Sequence, residues 1–163
     1  MAYYGVAVTL QPKAARLTHD TAILKMDPYC VVWLGNQSAR TSTHHDGGRN
    51  PHWNNVLTLI RNQEDNIRFL IYDKDTLDAD AFIAEGEFRF SMFQGGAFEE
   101  WIPLRFAGKS AGELQVNIMM QPGAVGHMKD VIVEEGQHLE HQVKGMFSSE
   151  PEHQMPAVLY PAH

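Results

Sequence analysis

Asp27-Pro28-Tyr29-Cys30-Val31-Val32-Trp33-Leu34 sets a turn directly against an apolar run. Asp-Pro is a turn signal, because the carboxylate accepts nearby backbone N–H groups and proline restricts the chain. The six residues that follow predict a short strand. The same alternation of turn and apolar run continues outward in both directions. Upstream, Val6, Val8 and Leu10 alternate with Gly5, Ala7 and Thr9. Downstream, strands are predicted at 39–44, 56–61, 67–72, 83–90 and 101–106. The last one, 113–118, alternates cleanly and sets Leu114, Val116, Ile118 and Met120 on one face. Turn-rich stretches at 46–51, 62–66, 94–96 and 107–112 separate them. The expectation is an all-β fold, an eight-stranded antiparallel Greek-key sandwich whose two sheets hide their apolar faces against each other.

Three signposts fall in one order along this framework: Asp27-Pro28-Tyr29, then Asn50-Pro51-His52-Trp53-Asn54, then Asp73-Lys74-Asp75 leading to Ile83-Ala84-Glu85. Together they resemble the C2 domain, and the resemblance covers about residues 3–121. It implies a β-sandwich with loops at one end, where aspartates from two separate loops converge on Ca²⁺ and phospholipid. Only one predicted strand precedes the first acidic loop, which points to the type II arrangement of that family.

Calcium-binding members usually carry an Asp six residues before the Asp of Asp-Pro-Tyr, that Asp itself, and three more in the third loop at offsets of zero, two and eight. Asp27, Asp73 and Asp75 match directly. Thr21 and Ala81 occupy the other two positions, with Asp20 and Asp80 each one residue off. The candidate metal ligands are therefore Asp20, Asp27, Asp73, Asp75, Asp78 and Asp80, with calcium the implied ion. Ca²⁺ wants six to eight oxygens. If two carboxylates meet about 5 Å apart they repel by about 3 kcal/mol at an effective dielectric near 20, which a cation would relieve. An EF-hand beginning at Asp73 is a poor alternative, since Leu77, Asp78 and Ala84 stand where an oxygen ligand, Gly and Glu are needed.

For lipid contact the candidates are Ile23, Leu24 and Leu77 at the loop tips, with Arg40 and Arg49 as the cationic residues near the middle strand. His44 and His45 add charge only below about pH 6.5. Ile83-Ala84 stands where most C2 domains have Ile-Gly; relatives of this kind bind phosphoinositides and adaptor partners and tend to have imperfect calcium sites.

Net charge is −7, and it is uneven. Over residues 122–163 two lysines face six acids, which leaves −4 there and −3 over residues 1–121. Six of the fourteen acids in 1–121 lie in the two candidate loops. This balance argues against nucleic acid, whose affinity rests on Lys and Arg neutralising phosphates. No run of about eighteen apolar residues occurs, and Met1-Ala2-Tyr3-Tyr4-Gly5 does not begin a secretory or transit segment. The expected compartment is the cytoplasm, with membrane or cytoskeletal association. Cys30 is the only cysteine and sits in an apolar run, where a buried small side chain is expected. No nucleophile elbow, Cys/His pair or phosphate-cradling loop occurs, so no catalytic role is expected.

Beyond the sandwich, assigned to 1–121, the pattern changes. Met128, Ile132, Leu139, Val143 and Phe147 recur at helical steps and predict an amphipathic, partner-binding helix over about 128–147. Pro151, Pro156 and Pro161 make 148–163 an extended tail. His138 and His141 lack a third ligand nearby and read as a solvated face. The expected function is that of a scaffold or adaptor subunit acting through protein–protein contacts in a larger assembly. The alternative is a calcium-dependent or phosphoinositide-binding module at the membrane surface.

Overall fold

The computed structural model describes residues 5–22, 24–93 and 95–120. They form eight strands: β1 (Val6–Leu17), β2 (Pro28–Leu34), β3 (Gln37–Arg40), β4 (Leu57–Arg61), β5 (Asn66–Asp73), β6 (Ala81–Arg89), β7 (Ala97–Phe106) and β8 (Lys109–Met120). A single 3₁₀ turn, Phe90–Met92, follows β6. Every strand pairing is antiparallel, in the order β3-β2-β5-β6-β7-β8-β1-β4. β6 and β7 share only the pair Glu85 with Arg105, so the ladder folds there into two four-stranded sheets.

The sheets close on one core. Cys30, Val32, Leu34, Ile67, Phe69, Ile71 and Ile83 from one sheet share a buried cluster with Val8, Leu10, Leu59, Leu104, Leu114, Val116 and Ile118 from the other. With one strand before the first acidic loop, this is the expected Greek-key sandwich of type II order. At the open edges, the Gln37 side-chain amide stands in for a ladder partner. It donates to the Ile60 carbonyl and accepts from the Ile60 N–H at 3.0 Å, which stitches β3 to β4.

Four strand boundaries differ from the sequence expectation by four residues or more, each for a local reason. β1 runs on to Leu17 because a bulge between Pro12 and Ala14 inserts Lys13 and reverses the inward phase from Val8 and Leu10 to Ala15 and Leu17. β3 stops at Arg40 because the Thr41 hydroxyl, not a backbone carbonyl, accepts the Cys30 N–H at 2.9 Å. β7 begins at Ala97, four residues earlier than the apolar pattern indicated, because Ala97 to Glu100 pair with Val116 to Met119 of β8. β8 in turn begins at Lys109. Ala107 and Gly108, at φ 52° and 79°, form a two-residue hairpin turn of the kind whose twist matches the flanking strands. Gly112 is required for space: at φ 121°, a Cβ there would lie 1.8 Å from the Arg16 carbonyl oxygen.

A second apolar cluster lies on the outward face of β2 and β5. Tyr29, Val31, Leu70 and Tyr72 are buried there, with Trp33 and Phe82 packed against them. Among the described residues no helix is long and apolar enough to cross a membrane. The expected helix over 128–147 and the tail over 148–163 lie outside the described residues.

Candidate loop-rim site

β2 begins and β5 ends at the same rim, since Pro28 and Asp73 are register partners. That register places the 20–27 and 73–80 loops side by side. The Lys74 N–H donates to the Asp27 carbonyl at 2.9 Å, and the Asp27 N–H donates to Asp73 Oδ1 at 2.8 Å. Thr21 Oγ1 donates to Asp73 Oδ2 at 3.0 Å, tying the first loop in. The Asp46 N–H donates to Asp27 Oδ1 at 2.6 Å, so the loop after β3 joins the same cluster.

The Asn50-Pro51-His52-Trp53 segment holds this rim from below. It runs along the second half of β1 through Leu17 N–H to the Arg49 carbonyl (2.8 Å), Ala15 N–H to Pro51 (3.0 Å) and Trp53 N–H to Lys13 (2.9 Å). The buried Trp53 indole then donates to the Pro28 carbonyl at 3.1 Å, at the foot of Asp27.

The six candidate carboxylates have different fates. Burial pushes the Asp73 carboxyl above the usual carboxylate range; the Asp27 and Asp75 charges add to this, while bonds from the Asp27 N–H and Thr21 oppose it. Asp75 is exposed and caps its own loop, accepting the Leu77 and Asp78 N–H groups at 2.8 and 3.0 Å, which lowers its pKa. Asp80 is buried at 5% exposure, with one oxygen taken by the Tyr29 hydroxyl at 2.6 Å and the other by the Asp75 N–H at 2.8 Å. Asp20 is paired to Arg49 at 3.3 Å and accepts the Ala22 N–H at 3.1 Å. Asp78 is exposed.

Calcium fits this donor set poorly. Asp80 is buried with both oxygens bonded inside the protein, and each Asp73 oxygen already accepts one bond, from the Asp27 N–H or from Thr21. Among the described residues no three His, Cys, Asp or Glu side chains are gathered closely enough to hold a metal ion.

The lipid candidates also divide. Leu24 and Leu77 are 82% and 90% exposed on the two loops. Ile23 lies outside the described residues, as do Met128, Ile132, Leu139, Val143 and Phe147. Arg40 needs correction as a surface cation. It is 4% exposed, its guanidinium lies 3.7 Å from the centroid of the Tyr29 ring, and it donates to the Thr41 carbonyl and the Thr43 hydroxyl at 3.0 Å each. Arg49 remains half-exposed beside Asp20.

His44 also departs from the expected charge switch. Its Nδ1 accepts the His52 N–H at 3.0 Å, and its pKa is lowered by partial burial, with His52 and His45 adding. Burial pushes the Cys30 thiol well above the ordinary range, so it is an inert core residue.

Sequence reasoning missed a row of rings in contact, some stacked and some tilted, running from the rim across the outer face. His19 stacks on Phe106 (3.9 Å), Phe106 meets Phe82 (5.9 Å), Phe82 meets Tyr72 (5.6 Å) and Tyr72 meets Tyr29 (5.7 Å). A signal for it was present: residues 29–34 are apolar without alternation, the pattern of a strand covered on both faces.

A sandwich of this strand order, carrying two acidic loops side by side at one rim, defines a β-sandwich module whose distinctive residues lie in its loops. Residues 7–104 match the C2 domain family, and the chain belongs to that family. Among curated relatives, it is 32% identical over 71 residues to Protein C2-DOMAIN ABA-RELATED 6 of Arabidopsis thaliana and 33% identical over 66 residues to Elicitor-responsive protein 1 of Oryza sativa subsp. japonica. Those matches span 43% and 37% of this chain, and 40% and 42% of the two relatives. Among solved structures, the C2A domain of plant extended synaptotagmin 1 superposes with a TM-score of 0.62 at 19% identity, covering 75% of this chain and 98% of that one. Human GIVD cytosolic phospholipase A2 gives 0.59 at 20% identity, over 74% of this chain and 17% of that one. At these identities the likeness is one of fold.

Proposed function

We propose that this chain is a non-catalytic C2 adaptor, docking protein partners in a larger cytoplasmic assembly through a loop rim that keeps its shape without an ion. The observation that carries this reading is the self-sufficiency of the rim. Asp73 is held by Thr21 and the Asp27 N–H, and Asp80 by Tyr29 and the Asp75 N–H. Exposed Leu24 and Leu77 beside Asp75 and Asp78 suit a partner that offers an apolar pocket edged with basic residues. The stripe Met128, Ile132, Leu139, Val143 and Phe147 provides the second partner contact in this reading.

The test is thermal unfolding in chelator and in millimolar Ca²⁺. An ion bound only to the folded state at about 100 times its Kd adds about 2.7 kcal/mol, a rise of several degrees. The adaptor reading expects no rise, and no Ca²⁺ dependence of complex formation. A rise abolished by Asp27→Asn would sink it.

A second reading, a calcium-assisted or phosphoinositide-binding membrane module, is favoured by one observation: Leu24 and Leu77 are exposed on the two adjacent acidic loops. Co-sedimentation with phosphatidylserine and phosphoinositide vesicles, with and without Ca²⁺, separates it from the first. Sedimentation lost on joint Leu24→Ser and Leu77→Ser substitution supports the membrane reading.

A further inference from the structure

The acidic rim takes one end of the sandwich, where β2 begins and β5 ends. At the far end β6 finishes opposite the start of β5, with Asn66 paired to Arg89, and β7 begins opposite the end of β8, with Ala97 paired to Met119. A sandwich hides the faces that its sheets turn toward each other, but at the strand ends that core is covered only where further chain crosses it. The far end carries one cluster of rings, Phe88, Phe93 and Phe98, with centroids 4.9 to 5.8 Å apart. Phe88 is buried, whereas Phe93, Phe98 and Met120 pack on the core and stay only partly buried. Met92, next to Phe93 in the chain, is 82% exposed, and Met119, opposite Ala97, is 47% exposed. Apolar surface gathered around an incompletely covered core marks a contact site.

We infer that the segment of this same chain beginning at Pro122 turns back over that end and caps it, with Val125, Met128 and Ile132 laid against Met92, Phe93 and Phe98. The place where the chain leaves the sandwich carries the argument. β8 delivers the backbone to the patch itself, because the Met120 N–H donates to the Gly96 carbonyl at 2.8 Å. Pro122-Gly123 follows at once, a turn signal that ends the strand and redirects the chain. Val125, Met128 and Ile132 then come at steps of three and four, which sets them on one face of a helix. The reach suffices, since packed sheets lie about 10 Å apart and residues 124–132 span about 13 Å if helical and more if extended. The charge agrees as well. Arg61 lies 3.9 Å from the centroid of the Phe90 ring, which itself meets Phe88, and donates to the Glu64 carbonyl. Asp130, Glu134 and Glu135 outnumber Lys129 in the incoming segment.

This inference does not depend on the adaptor reading. If both hold, the first part of the apolar stripe belongs to the sandwich, and Leu139, Val143 and Phe147 are what a partner meets.

The test uses the full chain and needs no partner. Dilute hydrogen peroxide oxidises methionine thioethers at rates that follow their exposure, and peptide mass spectrometry reads each methionine separately. In the parent, Met92 and Met128 should both react several-fold more slowly than in the joint Val125→Ser and Ile132→Ser variant, at rates unchanged when the protein is diluted. Joint Leu139→Ser and Val143→Ser substitution should leave both methionines as slow as in the parent. The Thr21 and Asp73 amide resonances should stay in place in both variants, as the mark of an intact sandwich. Equal Met92 rates in the parent and in the Val125 and Ile132 variant overturn the proposal. Protection that dilution removes assigns the cover to a second copy, and release of Met92 by the Leu139 and Val143 pair alone moves the contact further along the segment; either result overturns it too.

Discussion

Asp78 and Asp80 stand two residues apart in one acidic loop and have opposite fates: the first is solvated, the second is buried beneath Tyr29. The Tyr29 hydroxyl is itself held protonated, since burial and then the Asp80 hydrogen bond both raise its pKa. Tyr29→Phe leaves a buried carboxylate oxygen without its donor and should cost about 1–3 kcal/mol in urea unfolding. Asp78→Ala should stay within about 0.5 kcal/mol of the parent. Nothing in the string Asp-Ala-Asp separates the two. The difference arises because Tyr29, 51 positions earlier, reaches one of them.

His44 carries a pH prediction at the same scale. Its folded pKa is lowered, so as pH falls the unfolded chain takes up the proton first. The stabilisation is whole above the unfolded value near pH 6.5 and is lost as pH drops through the folded value. His44→Asn keeps an acceptor for the His52 N–H without a titrating ring. Its urea midpoint should therefore fall less between about pH 7 and about pH 5 than that of the parent.

At the scale of elements, the strands were legible and their ends were not. The clean alternation of 113–118 and of Val6 to Leu10 is a period-two signal that burial on one face enforces. The bulge at Lys13 reverses that phase, so residues 14–17 read as loop until their pairing with β8 and with 49–53 is known. Likewise Glu99 and Glu100 have no apolar pattern and are strand only because β8 lies beside them. Two substitutions test these joints. Gly112→Ala places a Cβ against the Arg16 carbonyl at a strained φ and should destabilise by well over 1 kcal/mol, roughly, in urea melts. Gln37→Ala removes the stitch between β3 and β4. It should cost about 1 kcal/mol and speed amide exchange selectively at Ile60.

At the scale of the molecule, the rim is set by three loops and one strap. Trp53 joins them, because its indole N–H ends on the Pro28 carbonyl while its backbone is pinned to β1. Trp53→Phe keeps most of the buried ring and loses that bond. It should lower the unfolding free energy by about 1–3 kcal/mol and shift the Asp27 and Asp73 amide resonances. The exposed distribution of acid, not the total of −7, then decides what the rim meets: Asp75 and Asp78 face water, while Asp80 contributes nothing outside.

The sequence by itself determined the class of fold, and its resemblance to the C2 domain implied which loops share a rim. Apolar periodicity and turn chemistry are local properties, and the Asp-Pro-Tyr, Asn-Pro-His-Trp and Asp-Lys-Asp segments carry them in readable order. Tertiary structure alone decided which carboxylates remain available, that Arg40 is buried against Tyr29, and that β2 is covered on both faces. Those outcomes depend on partners tens of residues away. A hydrogen bond or a stacked ring is set by distance in space, which no local pattern records.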